Sequence, residues 1–326
     1  MKTILVSVLI TSAFMAAESV SLKADEATPD SLVHALNGVF GEHMVRAVHA
    51  KGTVLKGTFI AAAGAERLSE APHLQSGSEV PVIVRFSDFA GVPTIPDNDG
   101  LASPRGMAIK FKLPDGTDTD IVAHSFNGFP VATADEFQQL LIALANSKPD
   151  TPKPTPLDKF LGGHPIAKAF LTAPKPMPES YATLPYFGVN SFKFTNKSGT
   201  ETFGRYEIIP GAGEHFFSDK EAKSKSANYL IDEIAQRVKT QPVVFSLVVQ
   251  KSAAGDKIAD PSIAWPASRP TVLLGTIRLT ESLGGDASNS KLFFMPNAVP
   301  AGIEPADPMI DARAGAYAVS VAHRMK

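Results

Sequence analysis

The 326-residue chain has no cysteine. Disulfides, iron–sulfur clusters, thiolate metal ligation and cysteine nucleophiles are thereby excluded, and any redox chemistry has to come from a bound cofactor. The chain also lacks an excess of either charge: 31 Lys and Arg stand against 33 Asp and Glu, a formal net charge of −2, with the basic residues scattered singly. That balance argues against nucleic acid as a partner. No apolar run is long enough for a comfortable membrane span. Internal repeats and low-complexity tracts are absent as well, which excludes solenoids and fibrous arrays.

What is present is a globular composition, 44% hydrophobic and 20% charged. The first residues stand apart. Lys2 precedes an apolar stretch from Ile4 to Ala17, with small residues at Ala16 and Ala17 and polar sequence from Glu18 onward. These are the parts of a secretory signal peptide, so residues 1–24 read as a leader and the protein as exported, to a bacterial periplasm, without stable membrane insertion. Residues 25–326 read as one domain. Ser31 is placed to cap a helix over Leu32–Phe40. Short β-branched stretches follow at Thr53–Ile60, Val80–Phe86, Met107–Lys112, Asp120–Ala123, Phe203–Ile209, Val243–Val249 and Thr271–Thr280, separated by Gly, Pro and Asp turns. Helical patterns interrupt them at Ala134–Ala145, around Ile166–Leu171 and at Glu221–Val238, and Ser147–Pro156 reads as a proline-rich loop. The fold class is α+β, with a mainly antiparallel sheet closed into a barrel and helices around it.

Two places carry candidate chemistry. Arg46-Ala47-Val48-His49-Ala50-Lys51-Gly52 puts a histidine at the entrance of the first strand, where a rigid backbone suits a group that moves a proton. Near the end, Arg313 and Tyr317 stand four apart in a helical pattern and share a face. A guanidinium beside a phenol favours the phenolate, a ligand for ferric iron. Read alone, a histidine is more often packed or solvated, and an Arg/Tyr pair is more often a surface contact.

The wording around these residues shifts that balance. The His49 segment closely resembles the distal-histidine signature of haem catalases. Val84-Arg85-Phe86-Ser87-Asp88-Phe89-Ala90-Gly91, Pro104-Arg105-Gly106-Met107-Ala108-Ile109-Lys110-Phe111, Phe187-Gly188-Val189-Asn190-Ser191-Phe192-Lys193, Asp260–Pro266 and Phe294–Pro305 resemble further catalase segments in the family's order. The resemblance runs from Leu32 to Arg324, loosely over Ala145–Pro185. It implies a catalase-like antiparallel barrel with haem b inside it, Tyr317 on the iron below and His49 above. It places Arg46, Arg85 and Arg324 on the haem propionates, Phe129 and Phe137 against the porphyrin, and Arg313 beside Tyr317. One slot departs from the family: where catalases carry an asparagine that orients peroxide, this chain has His124, and the nearest asparagine is Asn127. His124 and Asn127 are therefore both candidates for the work beside His49.

His124-Ser125-Phe126-Asn127-Gly128-Phe129-Pro130 is similar to the smaller exported catalase-related peroxidases, and the sequence stops two residues after Arg324 where catalases continue into further helices. The resemblance thus implies a peroxidase that reduces hydrogen or organic peroxides with a small organic electron donor, with weak catalase activity beside it, as a monomer or small homo-oligomer. Two other outcomes fit the residues: an isomerase that rearranges lipid hydroperoxides without a reductant, and an exported barrel that binds haem without catalysis.

Overall fold

The computed structural model describes residues 26–285 and 289–325. The leader assigned to residues 1–24 lies outside them. Helix α1 (Pro29–Phe40) leads into β1 (Gly52–Ala61), β2 (Glu79–Ser87), β3 (Gly106–Lys112) and β4 (Asp118–His124). Helices α2 (Ala134–Ala145), α3 (Pro156–Gly163) and α4 (Pro165–Thr172) follow, then β5 (Tyr186–Thr195) and β6 (Glu201–Pro210). After α5 (Asp219–Lys223) and α6 (Tyr229–Thr240) come β7 (Val243–Lys251), β8 (Thr271–Gly285), the short β9 (Ile303–Pro305) and α7 (Met309–Arg324). Neighbouring strands are antiparallel in the order β4-β3-β2-β1-β8-β7-β6-β5-β9, and a pairing of His124 with Phe187 joins β4 to β5, closing eight strands into a barrel. Closure removes the sheet edges that would otherwise be exposed.

The strands alternate with period two, so each has one face inside the barrel. Val80, Val82, Val84 and Phe86 of β2 point inward with Ile109 and Phe111 of β3 and Phe245, Leu247 and Val249 of β7, forming one continuous buried core. The interior is filled with side chains. This corrects the expectation of a cofactor inside the barrel: the large cavity lies on the outer face of β2–β4, roofed by α1, α2 and α7. Those helices meet through Leu32, Val33, Leu36, Leu141 and Ala316 in a second apolar cluster.

Several sequence expectations shift in detail. Helix α1 begins at Pro29 with Thr28 as its cap, and Ser31 sits at the third position, completing a capping box instead of starting the helix. The helix expected over Glu221–Val238 is broken between α5 and α6, because the Ala227 carbonyl accepts from both Lys51 Nζ at 2.6 Å and Asp97 N at 2.8 Å. Strand β5 escaped the sequence reading: Gly188, Asn190 and Ser191 are poor strand formers, and its pairing with β6 shifts register between Gly188 and Phe192.

Candidate active site

The cavity, partly open to solvent, spans about 1370 Å³ of non-atom space. Its floor is a pair of cross-strand rungs. Ser87, Gly106 and His124 are direct partners across β2, β3 and β4, and so are Arg85, Ala108 and Val122. All six line the cavity, because residues two apart on a strand share a face.

His49 lies over the first rung. Its backbone adopts φ 55°, the left-handed region that a non-glycine residue enters at a cost of about 1–3 kcal/mol. The neighbouring segments hold it there: His49 N donates to Phe89 O at 2.7 Å, Ala50 N to Ala90 O at 3.1 Å, and Arg85 Nη2 donates to the His49 carbonyl at 2.8 Å. The Ser87 hydroxyl stands 3.1 Å from His49 Nδ1, and Phe89 packs edge-on to the ring at 5.5 Å. The other nitrogen, Nε2, is thus left to the cavity. Burial, with the positive fields of Arg85 and Arg313 and the neighbouring His124, lowers the His49 pKa to about 3. His49 is a neutral imidazole at any ordinary pH, the form a general base requires.

Helix α7 forms the facing wall. Arg313 Nη2 donates to Tyr317 Oη at 3.0 Å, and Arg313 Nη1 donates to Asn190 Oδ1. Asn190 Nδ2 donates in turn to Asp307 Oδ2 at 2.7 Å, while Asp307 Oδ1 accepts from Met309 N at the start of α7. The β5 irregularity that hid this strand in the sequence is what frees Asn190 to reach the helix. The segment leading into α7 is pinned to β4, where the Ala298 carbonyl accepts from Asp120 N and Thr119 Oγ1, and Asp120 Oδ2 accepts from Met295 N.

The remaining candidates divide. Arg46, Arg85, Phe129, Phe137 and Arg324 all line the cavity. Arg46 and Arg324 converge on the Leu292 carbonyl, at 2.7 and 2.9 Å, which brings two guanidiniums together at one place. Phe129 and Phe137 stack obliquely with centroids 5.0 Å apart. Phe137 is carried by α2, whose capping box pairs Thr133 with Glu136, and Phe129 N is fixed to Pro261 O at 3.1 Å. His124 lines the cavity at the end of β4, its pKa lowered to about 3 by burial and then by Arg313, and its Nδ1 is buried without a hydrogen-bond partner. Asn127 is not among the residues that line the cavity; Gly128 N closes a tight turn onto Phe126 O at 3.1 Å, and Phe126 packs against Phe170 and Lys175.

Ser87, Asn190 and Asp307 went unassigned in the sequence. Ser87 and Asn190 lie inside quoted motifs, and the parity of Arg85 and Ser87 on one strand was a usable signal. Asp307 carried none, because its role comes from a chain of hydrogen bonds across three elements.

The family model described as Catalase matches residues 19–326. The chain belongs to the catalase family. A catalase-related peroxidase from Mycolicibacterium paratuberculosis is 38% identical over 304 residues, covering 90% of this chain and 94% of that protein. A catalase-related peroxidase from Synechococcus elongatus is 34% identical over 316 residues, covering 94% and 92%. Catalase-1 of Arabidopsis thaliana is 29% identical, with 86% of this chain matching 60% of that one. A fungal catalase structure shares the fold at a TM-score of 0.76 and 20% identity, over 91% of this chain and 62% of that one. Membership makes the protein an oxidoreductase acting on peroxide, in a family that depends on haem. The cavity of this catalase-family chain fits that group. Among the described residues its lining holds four arginines, two neutral histidines and one tyrosine, in otherwise largely apolar walls. A flat apolar ligand that carries acidic groups and a metal seeking an anionic oxygen meets each of those features.

Proposed function

We propose that the protein holds haem b in this cavity and acts as a peroxidase, reducing peroxide at the expense of a small organic donor. Haem supplies the two-electron redox chemistry that no side chain of a cysteine-free chain can supply. Tyr317 Oη would hold the iron, with Arg313 donating to it. Arg46, Arg85 and Arg324 take the propionates, a use for which the planar guanidinium fork is suited, and Phe129 and Phe137 pack on the ring. His49 Nε2 takes the proton from one peroxide oxygen and returns it to the departing one, while Ser87 fixes the ring through Nδ1. His124 replaces the family's asparagine as the second polar group on that wall. It is bulkier, and as a neutral imidazole it offers a single ring N–H.

The observation that carries this reading is one cavity in which a neutral, hydrogen-bonded histidine and an arginine-bonded tyrosine both take part in the wall. The peroxidase preference is supported by the two relatives of that name, matched over nearly their whole length. The same relatives favour neither the isomerase nor the non-catalytic carrier. We further propose that residues 1–24 export the protein and that residues 25–326 work as one domain. The test is the purified protein itself. It should show a Soret band with the charge-transfer features of high-spin ferric haem on a phenolate, and it should oxidise phenolic donors with peroxide. His49→Ala should retain the band and lose turnover. Absence of haem after expression with adequate iron, or fast dismutation with no donor oxidation, would overturn the reading.

A further inference from the structure

Behind His49, away from the cavity, lies a set of buried charges that the proposed reaction does not use. Asp88 and Asp97 are both fully buried, Arg105 is 1% exposed and Lys51 7%. Asp88 Oδ1 accepts from Arg105 Nη1 and from Tyr181 Oη, the latter at 3.0 Å. Arg105 Nη2 donates to the Asp97 carbonyl, and Lys51 Nζ lies 2.5 Å from Asp97 Oδ1. Asp97 Oδ2 accepts from Leu230 N of α6 at 2.7 Å. Two buried positive and two buried negative charges therefore close a ring with no net charge. Buried ion pairs contribute little to stability beyond an apolar replacement, so such a ring is better explained by what it holds in place.

What it holds is the pair of segments that make the base. Lys51 is two residues after His49, Asp88 is one residue after Ser87, and Asp88 N donates to Lys51 O at 3.0 Å. The ring of charges is incomplete at one atom: Asp88 Oδ2 is buried without a hydrogen-bond partner, with Lys51 Nζ 3.9 Å away.

We propose that Asp88 is a positioning residue for His49, coupling the ionisation of this buried ring to the readiness of the imidazole to accept a proton. The proposal rests on His49 being the base assigned above. As a carboxylate, Asp88 balances Arg105 and seats the Ser87–Asp88 segment against the imidazole. Once protonated, it no longer balances Arg105 and it loosens that seat, so proton uptake by His49 becomes harder. The groups facing Asp88 from the elements packed around it are Lys51, Asp97, Arg105, Tyr181, Tyr186 and Tyr229. Burial, opposed chiefly by Arg105, pushes the Asp88 carboxyl up to about 7. His49 itself titrates far below that, so an inflection near neutrality belongs to Asp88.

The experiment follows cyanide binding to the haem-loaded protein between pH 5.5 and 8.5, because hydrogen cyanide has to give up its proton on entry and no turnover is involved. The wild-type association rate should fall through a midpoint near the Asp88 value as pH is lowered. Asp88→Asn should lack the midpoint and bind about tenfold more slowly at high pH, the scale seen when an outer partner of a working imidazole is lost. Tyr181→Phe removes a donor to the charged carboxyl and should move the midpoint up by about one unit. A second arm needs no cofactor: the ¹⁵N shifts of the His49 ring in the full chain should follow the same midpoint in wild type and stay flat in Asp88→Asn. If Asp88→Asn melts early but keeps the wild-type profile, or if Tyr181→Phe leaves the midpoint in place, the proposal is overturned. A wild-type protein that takes up no haem sinks the proposed function, and the ring shifts then decide this inference alone.

Discussion

Gly106 gives the sharpest test of the base geometry, because its missing side chain is what lets His49 lie over β3. A Cβ built on Gly106 would meet Ser87 Oγ at 2.5 Å, His49 Nδ1 at 2.7 Å and His49 Cε1 at 2.8 Å. Ordinary contacts of this kind lie near 3.5 Å, so Gly106→Ala is short by roughly 0.7–1 Å. The strand backbone of Gly106 accepts alanine, and all three crowded atoms are side-chain atoms. The side chains therefore move: the Ser87–His49 hydrogen bond of 3.1 Å breaks, or the ring shifts. Overpacking of this size costs about 1–3 kcal/mol of stability, which leaves the protein folded. A displacement near 1 Å in a catalytic group lowers the rate by about 10²-fold. Stopped-flow measurement of peroxide reacting with haem-loaded Gly106→Ala, at haem content matched by the Soret band, reads this directly. Gly100→Ala is the control, since nothing lies within 4 Å of its Cβ. Gly57→Ala is the opposite extreme: its Cβ would stand 2.0 Å from the Arg278 carbonyl, so that variant should fail to fold. A folded Gly106→Ala enzyme reacting within about twofold of wild type would refute the assignment of the Ser87–His49 contact to the chemistry.

Buried His73, 2% exposed beside Phe59 and Phe111, has its pKa lowered to about 4 by burial. Its contribution is present in full above the unfolded value of 6.5 and is lost as pH falls toward 4, amounting to about 2 kcal/mol by pH 5. Urea denaturation of His73→Leu and wild type should therefore diverge by that amount between neutral pH and pH 5, and parallel curves would refute it. Asn190→Leu strips a partner from both Arg313 and Asp307. At about 1.5–3 kcal/mol per hydrogen bond to a charged group, its melting temperature should fall by several degrees, and an unchanged melt would show that the chain from Tyr317 to Asp307 is slack. His124→Asn restores the family's residue and should raise dismutation relative to donor oxidation, measured as oxygen evolved against donor oxidised. An unchanged ratio would clear His124 of setting the balance.

Residues whose role is fixed by their own strand or helix were legible in the sequence. His49, Arg85, Phe137, Arg313 and Tyr317 each sit in a short segment whose wording and periodicity survive into the structure. The failures are equally specific. Asn127 stood near the expected slot along the chain, but it is His124, at the end of β4, that lines the cavity. The cofactor was expected inside the barrel, yet the alternation of Val84 and Phe86 inward with Arg85 and Ser87 outward already placed the candidate residues on the opposite face from the core. Asn190, Asp307 and the Leu292 carbonyl each make a contact that crosses 117 residues or more. No local pattern records such partners, whereas a hydrogen-bond inventory of the fold finds them at once.

The cavity presents a basic wall to its occupant: Arg46, Arg85, Arg313 and Arg324 all line it. Burial keeps His49 and His124 neutral, so they neither add to nor offset that charge. A porphyrin would bring two propionates to this wall and an iron to Tyr317 Oη, to which Arg313 donates. The same field then works on the substrate side: neutral peroxide enters without repulsion, and the charge that develops as it loses a proton to His49 arises among cations.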